Sequence, residues 1–476
     1  MRCRSLIIGI HLAFCALIRL TPAHAAQDVS SRKPNILLIM ADQWRADAFG
    51  YAGNRDVQTP AFDQFARESV RFTNAVASIP VCTPSRAALL TGRRGLSTGM
   101  FMNDVPLRPT QVTLPDVLSE EGYATAFIGK WHVDGHGRSS FIPVDRRHHF
   151  SYWRGLECTH DYNNSFYYGD APIKRTWKGY DAEAQTQRAI KYMRHQARHG
   201  KKPFFVMLSW GPPHEPYQTA PPRYRKMYDP RTITLRPNVP PDHRALAQTQ
   251  LAGYYAHCTA LDDCLSRLRL FLKEQDLERN TLVVFTSDHG DMIESHGNQK
   301  KQQPWDESCC VPMLFRLPGQ SLGKTLAAPL VTEDIMPTIL RLCGIQPPAR
   351  LNGCDFSQYM VGGKDPTDGA ALVLCPAPFG QWQRKLGGKE YRAIRTTQYT
   401  YARDLMGPWL LYDNQADPYQ MNNLVDRPEY AALQKKMDDW LQKKLKQTRD
   451  RFEPAAAYIR RYRYDVDATG TVNYSQ

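Results

Sequence analysis

The chain has 476 residues, 42% of them hydrophobic and 23% charged, so it is long enough for one large domain with a smaller one and a sizeable buried core. Its formal net charge of +14 favours anionic partners, although charge alone does not identify the anion. The sequence carries no nucleic-acid-binding signature, and we therefore expect no nucleic acid partner.

The N-terminus reads as an export signal. Arg2 and Arg4 precede an apolar run over residues 6–18, and Ala23-His24-Ala25 then offers a small-x-small cleavage site. The run is too short to span a membrane. We predict a signal peptide over residues 1–25, a periplasmic or secreted protein, and no transmembrane segment in the mature chain.

Four continuous apolar runs predict strands that are buried on both faces of a parallel sheet. They cover residues 35–40, 123–128, 203–209 and 281–287. Polar residues follow each run directly, at the carboxyl end of the strand, where open α/β sheets bind their ligands. The residues delivered there are Asp42 and Gln43, Lys130 and His132, His214, and Asp288 and His289.

Helical patterns alternate with these strands over residues 113–121, 181–198 and 245–272. This order predicts an α/β fold with a large, mainly parallel sheet sandwiched by helices. The long segments 135–178 and 216–243 are expected to be irregular loops that select the substrate.

The pattern changes near residue 350. Residues 391–401 alternate like one antiparallel strand that can pair with 409–412, and residues 428–451 predict a terminal helix. We therefore expect a large domain over residues 33–350 and a smaller C-terminal subdomain over residues 351–476, with an antiparallel sheet.

Two acidic strand ends predict a metal site. A single Asp at a strand end is more typical of a turn or helix cap, but Asp42 and Gln43 together with Asp288 and His289 form a ligand set. The set is mostly oxygen, which suits a hard divalent cation. Calcium is the expected metal, and the His ligand also allows magnesium or manganese.

Lys130 and His132 lie in the sequence Gly-Lys-Trp-His at the end of a predicted strand. Residues two apart in an extended segment point to the same face, so we expect both side chains on one face and Trp131 on the other.

Cys82-Thr83-Pro84-Ser85-Arg86 opens a predicted helix whose apolar face follows directly. One reading is a buried free cysteine before an ordinary helix. The motif also resembles the C-x-P-x-R signature of type I sulfatases, a family of the alkaline phosphatase superfamily. The resemblance implies that Cys82 is oxidised to formylglycine by a formylglycine-generating or anaerobic maturation enzyme, and that Arg86 supports the modified residue.

The resemblance extends over residues 35–424 and implies further roles. Lys130 and Lys301 would bind sulfate, with Lys300 as the rival of Lys301. His214 would protonate the leaving oxygen, and His132 would deprotonate the nucleophile to expel sulfate. The four predicted metal ligands would hold the cation that binds one sulfate oxygen and the formylglycine.

The sequence therefore predicts an exported sulfuric ester hydrolase acting on an anionic sulfated substrate, which we expect to be a carbohydrate. Gln43 departs from the commoner family pattern, which has an acidic residue there, and the ligand set also resembles phosphonate monoester hydrolases. The first alternative is thus a phosphonate monoester or phosphodiester hydrolase with the same nucleophile. A second alternative is a non-catalytic sulfoglycan-binding protein in which Cys82 stays unconverted.

Overall fold

The computed structural model describes residues 33–473, so the predicted signal peptide lies outside the described residues. The strands are β1 Asn35–Asp42, β2 Val70–Phe72, β3 Ala75–Val76, β4 Ala124–Lys130, β5 Tyr152–Leu156, β6 Phe166–Tyr167, β7 Arg175–Thr176, β8 Phe204–Pro213, β9 Thr281–Ser287, β10 Met313–Arg316, β11 Lys324–Leu326, β12 Leu330–Val331, β13 Ala371–Cys375, β14 Tyr391–Arg395, β15 Tyr399–Asp404 and β16 Gly407–Asp413. The α-helices are α1 Pro60–Arg67, α2 Cys82–Thr91, α3 Gly95–Thr98, α4 Leu114–Glu120, α5 Asp181–His199, α6 Pro222–Arg225, α7 Arg244–Glu274, α8 Asp306–Cys309, α9 Ile335–Leu342, α10 Ser357–Met360, α11 Ala431–Thr448 and α12 Ala455–Tyr462.

Eight strands form the main sheet in the order β11-β2-β10-β9-β1-β8-β4-β5. The five strands from β9 to β5 run parallel, whereas β10 is antiparallel to both of its neighbours. The four predicted apolar runs are β1, β4, β8 and β9. Parallel pairing places their carboxyl ends at one edge of the sheet, which is where the site forms.

Helices cover both faces of the sheet because the side chains of each strand alternate between two cores. Ile36 and Leu38 of β1 face a core that contains side chains of α2, α4 and α9. Leu37 and Ile39 face a second core with side chains of α1, α5 and α7. This arrangement confirms the predicted α/β sandwich.

The C-terminal region contains a four-stranded antiparallel sheet in the order β13-β14-β15-β16, with α11 packed against β14 and β15. The prediction of one strand over residues 391–401 is wrong, because the chain turns between β14 and β15. The hydroxyl of Thr396 accepts hydrogen bonds from the backbone N–H groups of Gln398 and Tyr399 and closes this turn. Pairing of residues 409–412 with β15 is confirmed. The boundary at residue 350 remains a prediction.

The two predicted loops differ in regularity. Residues 135–178 were expected to be irregular, but they contain β5, which extends the main sheet beside β4, and the small β6–β7 ribbon. Residues 216–243 contain only short helical turns, including α6. No helix within residues 33–473 has the length and apolar character needed to cross a membrane.

Candidate active site

Cys82 is the first residue of α2 and is buried at the carboxyl edge of the main sheet. Its Sγ atom lies 3.0 Å from Nζ of Lys301, 3.2 Å from Nε2 of His289 and 3.8 Å from Oδ1 of Asp42. Burial alone would raise the pKa of the thiol, but Lys301, Lys130 and His289 outweigh burial and hold this pKa well below its ordinary value. Residue 82 is therefore held in a buried pocket built for negative charge.

Arg86 lies one helical turn after Cys82 and ties three strand ends together. Its guanidinium donates to Oδ2 of Asp42 at 3.0 Å and to Oδ2 of Asp288 at 2.9 Å, and a further N–H donates to the carbonyl of Lys130 at 2.8 Å. The Nζ atom of Lys130 lies 2.5 Å from the same Oδ2 of Asp42. In both Asp42 and Asp288, Oδ2 therefore contacts these cationic side chains, whereas Oδ1 does not.

The predicted metal ligands converge on one point. The ligand atoms of Asp42, Cys82, Asp288 and His289 all lie within 4.8 Å of one another. His289 Nδ1 donates to the carbonyl of Gly290 at 2.8 Å, so its Nε2 carries the free lone pair. This Nε2 lies 3.6 Å from Oδ1 of both Asp42 and Asp288.

Gln43 completes this ligand set with a neutral oxygen. Its Nε2 donates to carboxylate oxygens of Glu215 and Asp291, both at 2.7 Å, which fixes the orientation of the amide. Its Oε1 is buried and has no hydrogen-bond partner among the described residues. An orphaned buried acceptor, taken together with the carboxylates of Asp42 and Asp288 and the imidazole of His289, makes a donor set that fits a hard divalent cation.

Asp291 was missed by the sequence reasoning, although it follows the predicted ligands by only two positions. It accepts from Gln43 and also from the hydroxyl of Tyr217, at 2.6 Å. Burial, and next the charge of Glu215, raises the pKa of Asp291 to about 6. Asp291 therefore orients the amide of Gln43 through the nitrogen, and Oε1 is left for another partner.

His214 contacts the same Nζ atom of Lys301 that contacts Cys82. Its Nε2 lies 3.0 Å from Nζ of Lys301, and its Nδ1 donates to the carbonyl of Glu215 at 3.0 Å. The ring of His160 stacks on that of His214, with centroids 4.6 Å apart and planes 8° from parallel. Burial, and next the electrostatic effect of His214, lowers the pKa of His160 to about 3, so that His160 is a neutral stacking partner at neutral pH. Lys300 instead pairs with Glu215 at 2.7 Å, and it is Lys301 that lies beside Cys82.

The segment that leads to His132 is not fully extended. The strand β4 ends at Lys130, and His132 has a left-handed backbone with φ of 56°. As predicted, the side chains of Lys130 and His132 both act on Cys82, whereas Trp131 packs against aromatic rings of the core. The hydroxyl of Thr83 donates to the carbonyl of His132 at 2.8 Å and ties it to the start of α2. The side chain of His132 also contributes to the lowered pKa of the Cys82 thiol.

Asp104, a second residue that the sequence reasoning missed, holds the imidazole of His132. His132 Nε2 donates to Oδ1 of Asp104 at 2.8 Å, while Arg138 donates to Oδ2 of Asp104 at 2.8 Å. Burial lowers the pKa of His132, but Cys158, Asp104 and Cys82 outweigh burial and raise it to about 10. No sequence pattern marks Asp104, whose role depends on a contact with a residue 28 positions away.

All ten predicted site residues thus join one connected network of buried contacts. Two lysines, an arginine, two histidines and a metal-ligand set surround residue 82. Such a site can bind a doubly or singly charged oxyanion, activate a nucleophile and protonate a leaving group. The fold and the site define a hydrolase of charged esters.

Comparisons with known proteins identify the family. The Sulfatase family model matches residues 34–345, and the model for the N-sulphoglucosamine sulphohydrolase C-terminal region matches residues 294–448. The chain is 44% identical over 440 residues to an ulvan-active sulfatase of Formosa agariphila, covering 91% of this chain and 85% of that one. The chain belongs to the sulfatase family of the alkaline phosphatase superfamily and is a sulfuric ester hydrolase.

Two further matches cover most of the chain. An endo-4-O-sulfatase of Bacteroides thetaiotaomicron is 29% identical over 453 residues, covering 82% of this chain and 88% of that one. The structure of BT4656 in complex with its substrate D-glucosamine-2-N,6-O-disulfate superposes with a TM-score of 0.79 at 25% identity, covering 89% of this chain and 99% of that one. These matches do not favour the phosphonate monoester hydrolase that Gln43 suggested.

Proposed function

We propose that this protein hydrolyses a sulfate ester on a sulfated carbohydrate, with residue 82 as the nucleophile after conversion of its cysteine to formylglycine. The observation that supports this most strongly is the position of Cys82, between Lys301 at 3.0 Å and His289 at 3.2 Å. An ordinary buried cysteine lies among apolar groups, whereas this one lies among cations and metal ligands. The proposal includes a maturation enzyme, either formylglycine-generating or anaerobic, that acts on Cys82.

Asp42, Gln43, Asp288 and His289 would hold one divalent cation, with Ca²⁺ expected and Mg²⁺ or Mn²⁺ also compatible with the donor set. When bound, the cation would neutralise charge on the sulfate and on residue 82. The chain itself supplies the remaining positive charge through Lys130, Lys301 and Arg86. Because these three side chains are buried, little water screens them, and their attraction for an anionic substrate is stronger.

His214 is the proposed acid for the first step. One hydroxyl of the hydrated side chain of residue 82 loses its proton to solvent, and its oxygen attacks sulfur. The bond from sulfur to the ester oxygen breaks, and the departing oxygen takes a proton from His214. The neighbouring contacts support this role. His214 Nδ1 donates to the carbonyl of Glu215, so that Nε2 is the nitrogen that faces Lys301 and the pocket. The stacked ring of His160 fixes the plane of the imidazole.

His132 is the proposed base for the second step. Its Nε2 proton is held by Asp104, which leaves Nδ1 free to accept a proton from the remaining hydroxyl of residue 82. In the described residues, Nδ1 is buried and has no hydrogen-bond partner. Loss of this proton re-forms the carbonyl and breaks the bond to sulfate. Conversion of the thiol also removes the contribution of Cys82 to the raised pKa of His132, which favours the neutral imidazole.

The names of the relatives support a carbohydrate substrate: one is an ulvan-active sulfatase, another an endo-4-O-sulfatase, and a third was solved with a disulfated glucosamine. We further propose that residues 33–350 carry catalysis, that residues 351–476 form a smaller subdomain, and that the protein is exported to the periplasm or secreted. Support for export is the N-terminal sequence pattern.

The test is turnover by protein co-expressed with a formylglycine-generating enzyme. We expect hydrolysis of 4-nitrophenyl sulfate by the parent protein and no turnover by Cys82→Ala, which should show an unchanged far-ultraviolet circular dichroism spectrum. Retained turnover by Cys82→Ala would contradict the proposed nucleophile. Faster hydrolysis of 4-nitrophenyl phenylphosphonate than of the sulfate would favour the phosphonate alternative. Unconverted thiol at residue 82 in protein from its native host would favour the non-catalytic binding protein.

A further inference from the structure

A surface groove lies at the edge of the sheet opposite to the active site. It has a volume of about 480 Å³ and is formed by the amino ends of β4 and β5 and by the second half of α5. Ala124, the first residue of β4, lines this groove, whereas Lys130, the last residue of β4, contacts Asp42 in the active site. At about 3.3 Å per residue, the groove and the active site are about 20 Å apart.

Aromatic rings form one wall of the groove. The rings of Tyr152 and Tyr192 lie 4.7 Å apart between centroids, with planes inclined by 39°. The guanidinium of Arg154 lies over the ring of Tyr152, 4.6 Å from its centroid. Tyr192 is buried and Tyr152 is partly exposed, so the exposed part of the Tyr152 ring is the aromatic surface that a sugar ring can contact.

The other wall is basic. Arg188, Lys191 and His195 are three or four residues apart on α5 and therefore lie on one face of this helix. Lys191 and His195 are exposed, and Arg188 is partly exposed. No carboxylate lines the groove within residues 33–473, and Arg154 is paired with Asp170 only at 3.8 Å.

The basic surface continues beyond the groove along the chain. Arg198, Lys201 and Lys202 are exposed at and just after the end of α5. Arg188, Lys191 and these three residues form no ion pair within the described part of the chain, in contrast to Lys130, which is paired with Asp42. An extended row of unneutralised cations attracts a polyanion rather than one small anion.

We propose that this groove binds a stretch of sulfated polysaccharide and holds the polymer on the enzyme away from the catalytic centre. The basic wall fits the sulfate groups, and the exposed part of Tyr152 can contact a sugar ring. The inference rests on the proposed function, since that function supplies a sulfated polymer as the ligand. The groove raises the local concentration of polymer near the active site but has no part in the hydrolysis of a small ester.

The experiment compares two double variants of the matured enzyme. Arg188→Glu with Lys191→Glu reverses two charges in the groove. The control, Lys436→Glu with Lys443→Glu, makes the same change in net charge at two exposed positions of α11. Binding of dextran sulfate is measured at fixed ionic strength, with neutral dextran and a single-stranded DNA oligonucleotide as further probes.

We expect the groove variant to bind dextran sulfate about tenfold more weakly than the parent enzyme, as reversal of two surface charges allows, with the control close to the parent. Hydrolysis of 4-nitrophenyl sulfate should be unchanged in both variants. If the groove variant unfolds at a lower temperature, Arg188→Gln with Lys191→Gln should show a smaller loss in the same direction.

An equal loss in the two variants, or no loss in the groove variant, would overturn the proposal. An equal loss of DNA binding and dextran sulfate binding would also overturn it, because the groove would then be a general basic surface. If the parent enzyme binds dextran sulfate through the groove but does not hydrolyse any sulfate ester, the proposed function fails and the binding groove stands.

Discussion

The Nε2 atom of His132 lies 2.8 Å from Oδ1 of Asp104, and both residues have left-handed backbones, with φ of 56° and 66°. His and Asp tolerate this conformation better than most residues, but it still costs free energy, and it is a common feature of functional sites. The pair fixes the imidazole so that Nδ1 is the nitrogen left for residue 82. Asp104 is therefore a positioning residue for the proposed base.

Asp104→Asn should slow release of sulfate more than release of the alcohol, because Asn can donate to Nε2 and place the proton of the neutral imidazole on Nδ1. We expect kcat to fall at least about tenfold, within the range for impaired general base catalysis. A rapid-mixing experiment with 4-nitrophenyl sulfate should then show a burst of one nitrophenol per active site. A loss of rate without a burst would show that the substitution slows release of the alcohol, which would contradict this prediction.

The same substitution should change stability in a pH-dependent way. His132 has a pKa of about 10 in the folded protein and an ordinary pKa of 6.5 in the unfolded chain. Its protonation therefore stabilises the folded protein fully below pH 6.5, and this stabilisation is lost as the pH rises towards 10. Contacts with His132 and Arg138 lower the pKa of Asp104 against the effect of burial. Ionised Asp104 therefore stabilises the folded protein above about pH 4, and this stabilisation is lost in acid. The difference in free energy of unfolding between the parent and Asp104→Asn should therefore be largest between about pH 4 and 6.5.

This difference should be about 3 kcal/mol, typical for a broken buried ion pair. Urea unfolding at pH 5.5 and pH 9.5 measures it, with the metal concentration held constant. An equal difference in the free energy of unfolding at both pH values would show that His132 and Asp104 do not form an ion pair.

Asp291→Ala should weaken calcium binding without removing a ligand. Asp291 accepts from Nε2 of Gln43, and its loss leaves Glu215 as the one remaining acceptor that orients this amide and its orphaned Oε1. Residues that orient metal ligands typically contribute about 10- to 100-fold to affinity. Calorimetric titration of chelator-treated protein with Ca²⁺ measures the effect, and Asp242→Ala, at an exposed carboxylate, is the control. Unchanged calcium affinity in Asp291→Ala would contradict the positioning role of Asp291.

Lys301→Ala and Lys300→Ala form a matched pair of adjacent lysine truncations. Lys301 contacts both Cys82 and His214, whereas Lys300 pairs with Glu215 at the partly exposed rim. Loss of a buried charge beside the reacting atoms should lower kcat about 100- to 1,000-fold. Lys300→Ala should retain kcat and change at most KM. Steady-state kinetics on one sulfate ester decide between them, and the opposite ranking would assign the sulfate contact to Lys300.

The strands could be predicted from sequence because burial on both faces demands continuous apolar runs, as in β1 and β9. The predicted metal ligands follow from that prediction, since parallel strands bring their carboxyl ends together. The strand β5 was not predicted, because its five residues alternate weakly and lie within a polar segment. Its pairing with β4 depends on tertiary contacts.

The residues missed in the site share one property. Asp104 and Asp291 act on other side chains, His132 and Gln43, across long separations in the chain. Such contacts leave no local spacing in the sequence. The turn at Thr396 was missed for a related reason, because the alternation of residues 391–401 continues through it.

The central claim is that residue 82 is a formylglycine nucleophile. The most direct measurement is the mass of the tryptic peptide spanning residues 72–86, which contains residue 82 and no internal lysine or arginine. The peptide from active protein should be lighter than the cysteine form, and the converted fraction should rise in proportion to sulfatase activity across preparations. Full activity in protein whose peptide carries only the unmodified thiol would contradict the account.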